Sequence, residues 1–183
     1  MANYFQLQFE YGVGGSAHIE TSETLDVHFF TGRKLKDSFP PTTVSLKSRP
    51  KAPDCIGVGS LDLVSAELRD FLVAEGVNAE FIEVEVLQNG QCAAKQYFEM
   101  NLLDVIACLD RQQSKFEEST LDSGERLVVR IRELYLDESK IGASRLFVLG
   151  EKVLLLVRED LADALRSSKF TGLGFKPLPK GLF

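Results

Sequence analysis

Apolar and polar residues alternate at the start of the chain. In "NYFQLQF" (Asn3–Phe9), Phe5, Leu7 and Phe9 fall on every second position, which predicts a strand with one buried face. The glycine-rich "YGVGGSAH" that follows reads as a turn, and "LDVHFF" (Leu25–Phe30) as a second short strand. From Thr31 to Pro53 the chain holds "FPP" and "RPKAP". Proline removes ladder donors and fixes the backbone, so this stretch reads as an extended surface connection.

Beyond it the period changes. Leu68, Phe71 and Leu72 form a helical stripe, with Ser65 placed to cap its start and Gly76 its left-handed exit. Ile82, Val84 and Val86 alternate with Glu83 and Glu85, and Asn89-Gly90 marks a hairpin turn. Leu102, Val105, Ile106 and Leu109 have the spacing of a helix. "RQQSKFEESTLDSGE" (Arg111–Glu125) is polar and irregular, and reads as an exposed loop. Strands are expected at "RLVVRIREL", "SRLFVL" and "KVLLLV", with Gly150 in the turn of the last pair. A final helix turns Leu161, Ala164 and Leu165 inward and leaves through Gly172 or Gly174.

Two of these stretches match each other. Placing Val64 on Val157 brings Leu68 onto Leu161, Asp70 onto Asp163 and Leu72 onto Leu165; one residue of slack then brings Phe81 onto Phe175. Each copy reads as a strand end, a short helix, a tight exit and another strand. The expected fold class is α+β: a mixed, largely antiparallel sheet partly covered by short helices, with two similar strand–helix–strand units. Residues 1–55 are expected to pack, as strands and a proline-containing connection, on the domain formed by residues 56–183.

Composition narrows the function classes. A hydrophobic fraction of 44% in 183 residues supports a sizeable core without staples. The start of the chain lacks the basic and apolar regions of a signal peptide, and the longest aliphatic run, Val153–Val157, is too short to cross a bilayer. Cys55, Cys92 and Cys108 are odd in number and widely spaced, as expected of reduced thiols in a cytoplasmic protein. The net charge of −6 is unevenly spread. Residues 61–125 carry fourteen acids and four bases, while residues 126–183 carry seven acids and eleven bases. An acidic middle third repels nucleic acid and attracts a basic partner.

Candidate chemistry is sparse. His18 and His28, ten residues apart with no nearby cysteine or acidic ligand pattern, are a weak metal signal, and "GVGGS" (Gly12–Ser16) lacks the Lys-Ser/Thr of a P-loop. No GxSxG, HExxH or DxDxDG occurs. Neither catalytic residues, a metal site nor a cofactor is expected. An enzyme reading would have to rest on Cys92, Cys108 and the two histidines; a third reading is a homo-oligomeric or adaptor protein.

Three segments, in order, resemble an immunity protein family of bacterial polymorphic toxin systems. They are "LVSAELRDFLVAEGVNAEFIEVEV", "YFEMNLLDVIACLDRQQSKF", and the C-terminal "LYLDESKIGASRLFVLGEKVLLLVREDLADALRSSKFTGLGFKPL". The resemblance spans Ile56 to Leu178. Arg158 stands where the first copy has Ser65, a departure that bears on the helix start. The resemblance implies a non-enzymatic cytoplasmic protein that binds and neutralises a cognate toxin, often a nuclease, and supplies no catalytic residues to carry over. The residue pattern supplies candidates for toxin binding: Glu83 and Glu85, outward on a strand, and Glu117, Glu118, Asp122 and Glu125, in the polar stretch.

Overall fold

The computed structural model describes residues 3–9, 17–21, 29–46, 52–124 and 126–179. Along the chain the strands are β1 (Tyr4–Phe9), β2 (Ala17–Thr21), β3 (Thr42–Leu46), β4 (Cys55–Val58), β5 (Leu61–Ser65), β6 (Ala79–Gln88) and β7 (Gln91–Cys92). They continue as β8 (Tyr97–Leu102), β9 (Val105–Ile106), β10 (Lys115–Thr120), β11 (Arg126–Glu133), β12 (Leu146–Leu149), β13 (Leu155–Arg158) and β14 (Leu173–Pro177). Helix α1 (Ala66–Ala74) follows β5 and helix α2 (Glu159–Ser167) follows β13.

The strands form three sheets. One has the order β14-β1-β13-β12-β9, another β2-β3-β6-β8-β5-β4 with β7 paired to β6, and β10-β11 make a separate two-stranded ribbon. This corrects the expected fold class. The molecule is sheet-dominated, and its two helices, nine residues each, are too short to cover a sheet. They lie instead in a core that both large sheets share.

Three misread segments account for the difference. The apolar spacing from Leu102 to Leu109 comes from the end of β8, the two-residue β9 and a bridge from Leu109 to Leu136, with no helix. The polar stretch read as a loop contains β10. The proline-rich connection likewise holds β3, which begins after Pro40 and Pro41 and pairs with β2 and β6. Of the predicted second strand, Phe29 and Phe30 are not in a strand, and residues 25–28 lie outside the described residues, as do Gly12–Ser16.

The matched segments occupy equivalent places. β5 and β6 both pair antiparallel with β8, which lies between them; β13 and β14 both pair antiparallel with β1. The registers agree residue by residue: Val64 faces Phe98 as Val157 faces Phe5, and Phe81 faces Met100 as Phe175 faces Leu7. One core joins the units. It contains Leu7, Phe9 and Val157 from one sheet, Val64, Phe98 and Met100 from the other, and Leu68, Leu72, Leu161 and Leu165 from the helices. Phe71 meets Phe170 edge-on, with centroids 5.4 Å apart.

The helix ends differ in instructive ways. Ser65 Oγ accepts from the Leu68 amide at 3.3 Å, as a cap should, whereas Arg158 makes no side-chain cap. Arg158 instead binds Asp160 through Nε and Nη2, at 2.8 and 2.9 Å. Those bonds, helped by Arg145, hold the Asp160 carboxyl far below the usual range against the opposing effect of burial. At the exits, Gly76 has φ +75°, but the equivalent place after α2 is taken by Lys169, with φ +58°. Gly172 has a different task. A Cβ there would lie 2.3 Å from the Cys55 carbonyl oxygen, so only glycine lets β14 approach β4. Within α2 it is Ala162, not Ala164, that is buried beside Leu161 and Leu165.

Two polar clasps close the units over each other. The Asp54 carboxylate accepts from the Thr171 amide (2.9 Å) and hydroxyl (2.7 Å), beyond α2, and from Ser65 Oγ, and pairs with Lys95. Burial alone would raise its pKa; the Lys95 and Thr171 bonds hold it below the ordinary carboxylate value. At the equivalent position of the other unit, Arg145 donates to the Glu75 carbonyl (3.2 Å) and carboxylate (2.7 Å), at the end of α1.

Candidate functional site

Strand geometry places Glu83 and Glu85 on an open sheet face. Ile82, Val84 and Val86 are buried, and the two intervening carboxylates are exposed. The parallel pairing of β3 with β6 sets Thr43 beside Glu85, and the antiparallel pairing of β2 with β3 sets Glu20 beside Thr43. His18, Glu20, Thr43, Ser45, Glu83 and Glu85 therefore share one face, while Val44, Leu46, Val84 and Val86 form the core beneath. Since α1 packs on β5 and β8, no helix among the described residues lies over this part of the sheet.

Hydrogen bonds hold the carboxylates in place. Thr43 Oγ1 donates to Glu85 at 2.8 Å, Gln96 Nε2 to Glu83 at 2.6 Å, and Ser45 Oγ to Glu20 at 3.4 Å. No basic side chain is paired with Glu83 or Glu85 among the described residues. Glu20 was missed by sequence reasoning, because only the register of β2 on β3 brings it there.

The second acidic group is arranged differently. Glu117 and Glu118 lie on β10, where Arg132 pairs with Glu117 and Arg111 with Glu118. Lys115 pairs with Glu133 in the same ribbon. Asp122 is exposed in the turn between the strands, and Glu125 lies outside the described residues. Each acid of these three pairs is thus matched by a base of the same ribbon or its approach, and the ribbon carries both signs.

The residues weighed for chemistry do not assemble into a site. Cys55 and Cys108 are buried and Cys92 is exposed on β7. Burial, with Glu151 nearby, pushes the Cys108 thiol up to about 12, the reverse of an activated nucleophile. His18 lies on the open face of β2, and His28 is outside the described residues. Among the described residues, no group of three or more His, Cys, Asp or Glu side chains could hold a metal ion. No helix among them is long and apolar enough to cross a membrane.

The family comparison completes the picture. The model of the immunity protein family Imm11 matches residues 13–180, starting well ahead of Ile56. A search of curated proteins finds no match. A match over nearly the whole chain, through both strand–helix–strand units, is not a local motif coincidence: the chain belongs to the Imm11 immunity protein family.

Proposed function

We propose that this protein acts in the cytoplasm as the antidote to one cognate toxin, by binding and without turnover, and that the open face bearing Glu20, Glu83 and Glu85 docks a basic surface of that toxin. Membership of the immunity family carries the role. The face is supported by its exposed carboxylates, its lack of a covering helix and the apolar layer that stiffens it from below. Toxins that cleave nucleic acid have basic substrate clefts, and a rigid acidic sheet is complementary to such a cleft. Charge of this kind raises the association rate, while a few desolvated pairs set the lifetime of the complex. Neither nucleic acid, a membrane nor a cofactor belongs to this reading.

The test uses the toxin domain encoded in the reading frame beside this chain's own. The protein should bind it and protect cells expressing it. Glu83→Lys with Glu85→Lys should slow association and lower its salt sensitivity, with the melting temperature nearly unchanged. Equal association rates for parent and double variant from low to moderate salt would remove the acidic face from the mechanism.

A further inference from the structure

The ribbon β10–β11 is built as an arm. Phe116, Val128 and Ile131 anchor it to the core beneath β12 and β13, with Leu134 just beyond β11 in the same cluster. A bulge makes this possible: Glu117 faces Arg130 and Glu118 faces Val128, so Val129 is the extra residue. Val128 and Ile131 thereby turn to the same side. Beyond the anchor, every described residue from Glu117 to Leu127 is exposed.

That arm carries apolar surface where water should be. Among the described residues five large apolar side chains are exposed, and Leu121 (44%), Leu127 (41%) and Val129 (49%) are all on the ribbon. A fourth, Val153, follows Lys152, whose Nζ donates to the Val129 carbonyl at 2.6 Å and ties the β12–β13 turn to the bulge. Clustering of this kind, with two open strand edges, marks surface that a partner covers.

The chemistry of the base of the arm says which partner. A cleft of about 260 Å³ lies there, with Ile131, Leu134, Leu154 and Leu156 among its walls. Its charged side chains are Arg130, Lys152 and Lys176, and no carboxylate lines it among the described residues. In a chain of net charge −6, a cleft with cations alone around leucines is complementary to an acidic, apolar segment.

We propose that the β10–β11 ribbon and this cleft are a second toxin-docking surface, which takes an apolar segment of the toxin bearing carboxylates. The proposal rests on the immunity reading above. The basic cleft and the acidic face of β2, β3 and β6 are of opposite sign and fix the orientation of the toxin, since a reversed pose sets like charges together.

The experiment compares the toxin domain's affinity for the parent, for Arg130→Glu with Lys176→Glu, and for Leu127→Thr with Val129→Thr. All four positions are exposed, and thermal melting checks each fold. Each pair should weaken binding by about tenfold or more, as loss of a strong interface contact does. Ribbon amides of the parent should also become protected from hydrogen exchange in the complex. Parental affinity in both variants, with tight binding by the parent, overturns this proposal and leaves the immunity reading standing. A parent that neither binds nor protects sinks both. If the parent alone is a dimer, the ribbon variants are monomers and toxin binding is unchanged, the occupant is a second copy and the proposal is wrong.

Discussion

Glu99 is a carboxylate in a place that disfavours charge. It is fully buried on β8; one oxygen accepts from the Asp62 amide at 2.9 Å and the other has no partner among the described residues. Burial, reinforced by the nearby Asp62, raises its pKa well above the ordinary value. The folded protein therefore keeps a proton that the unfolded chain releases from about pH 4.3. Its contribution to stability is whole below that pH and is lost as pH rises through the folded-state pKa. Glu99→Gln should match the parent near pH 4 and exceed it increasingly at pH 7 to 8. Denaturation midpoints across that range check this, and a constant difference at all pH values would refute it. Residue roles of this kind were hidden in the sequence. That Glu99 is buried follows from the place of β8 between β5 and β6, which no local pattern in "YFEMNL" shows.

At the scale of elements, what was legible was what is local. Asn89-Gly90 makes its predicted hairpin, with φ +52° and +80°, and Ser65 caps its helix. Leu102–Leu109 failed because two-residue strands interrupted by turns mimic a helical period. Of the ribbon, β11 was legible as "RLVVRIREL", while β10 was missed because a strand exposed on both faces shows no alternation. Glu83 and Glu85 were legible on one strand, whereas Glu20 needed its neighbour's register. The α2 exit was misassigned because two glycines nearby seemed better suited than a lysine. Lys169 is strained there, since left-handed backbone costs a side-chain-bearing residue about 1–2 kcal/mol. Lys169→Gly should recover about 0.5–1 kcal/mol, with part of the relief lost to the greater freedom of glycine in the unfolded chain. Chemical denaturation would show it, and a destabilised variant would mean that the lysine contributes something at that exit beyond its backbone.

For the whole molecule, the shared core and the two clasps bind the halves into one body. Asp54→Ala removes the acceptor for Thr171 and Ser65 and leaves their hydroxyls and a backbone amide unpaired. It should cost about 2–4 kcal/mol, the range for losing charged hydrogen bonds at a mostly buried site. Unfolding should still be a single transition, followed identically by secondary-structure and fluorescence signals, because Leu68, Leu72, Leu161 and Leu165 bury their side chains in one core that both units share. Two separated transitions in this variant would show that the units are stable independently.

The position of β1 has a kinetic consequence. It is the earliest strand, yet it sits between β13 and β14, with Phe5 opposite both Val157 and Pro177. Its partners thus leave the ribosome long after it, whereas β4 to β8 find one another within a short span of chain. Pairings this distant give a high contact order and slow folding. During synthesis the first unit can assemble while β1 waits with Phe5, Leu7 and Phe9 unburied, so a nascent chain carries an unpaired apolar strand until β13 and β14 emerge.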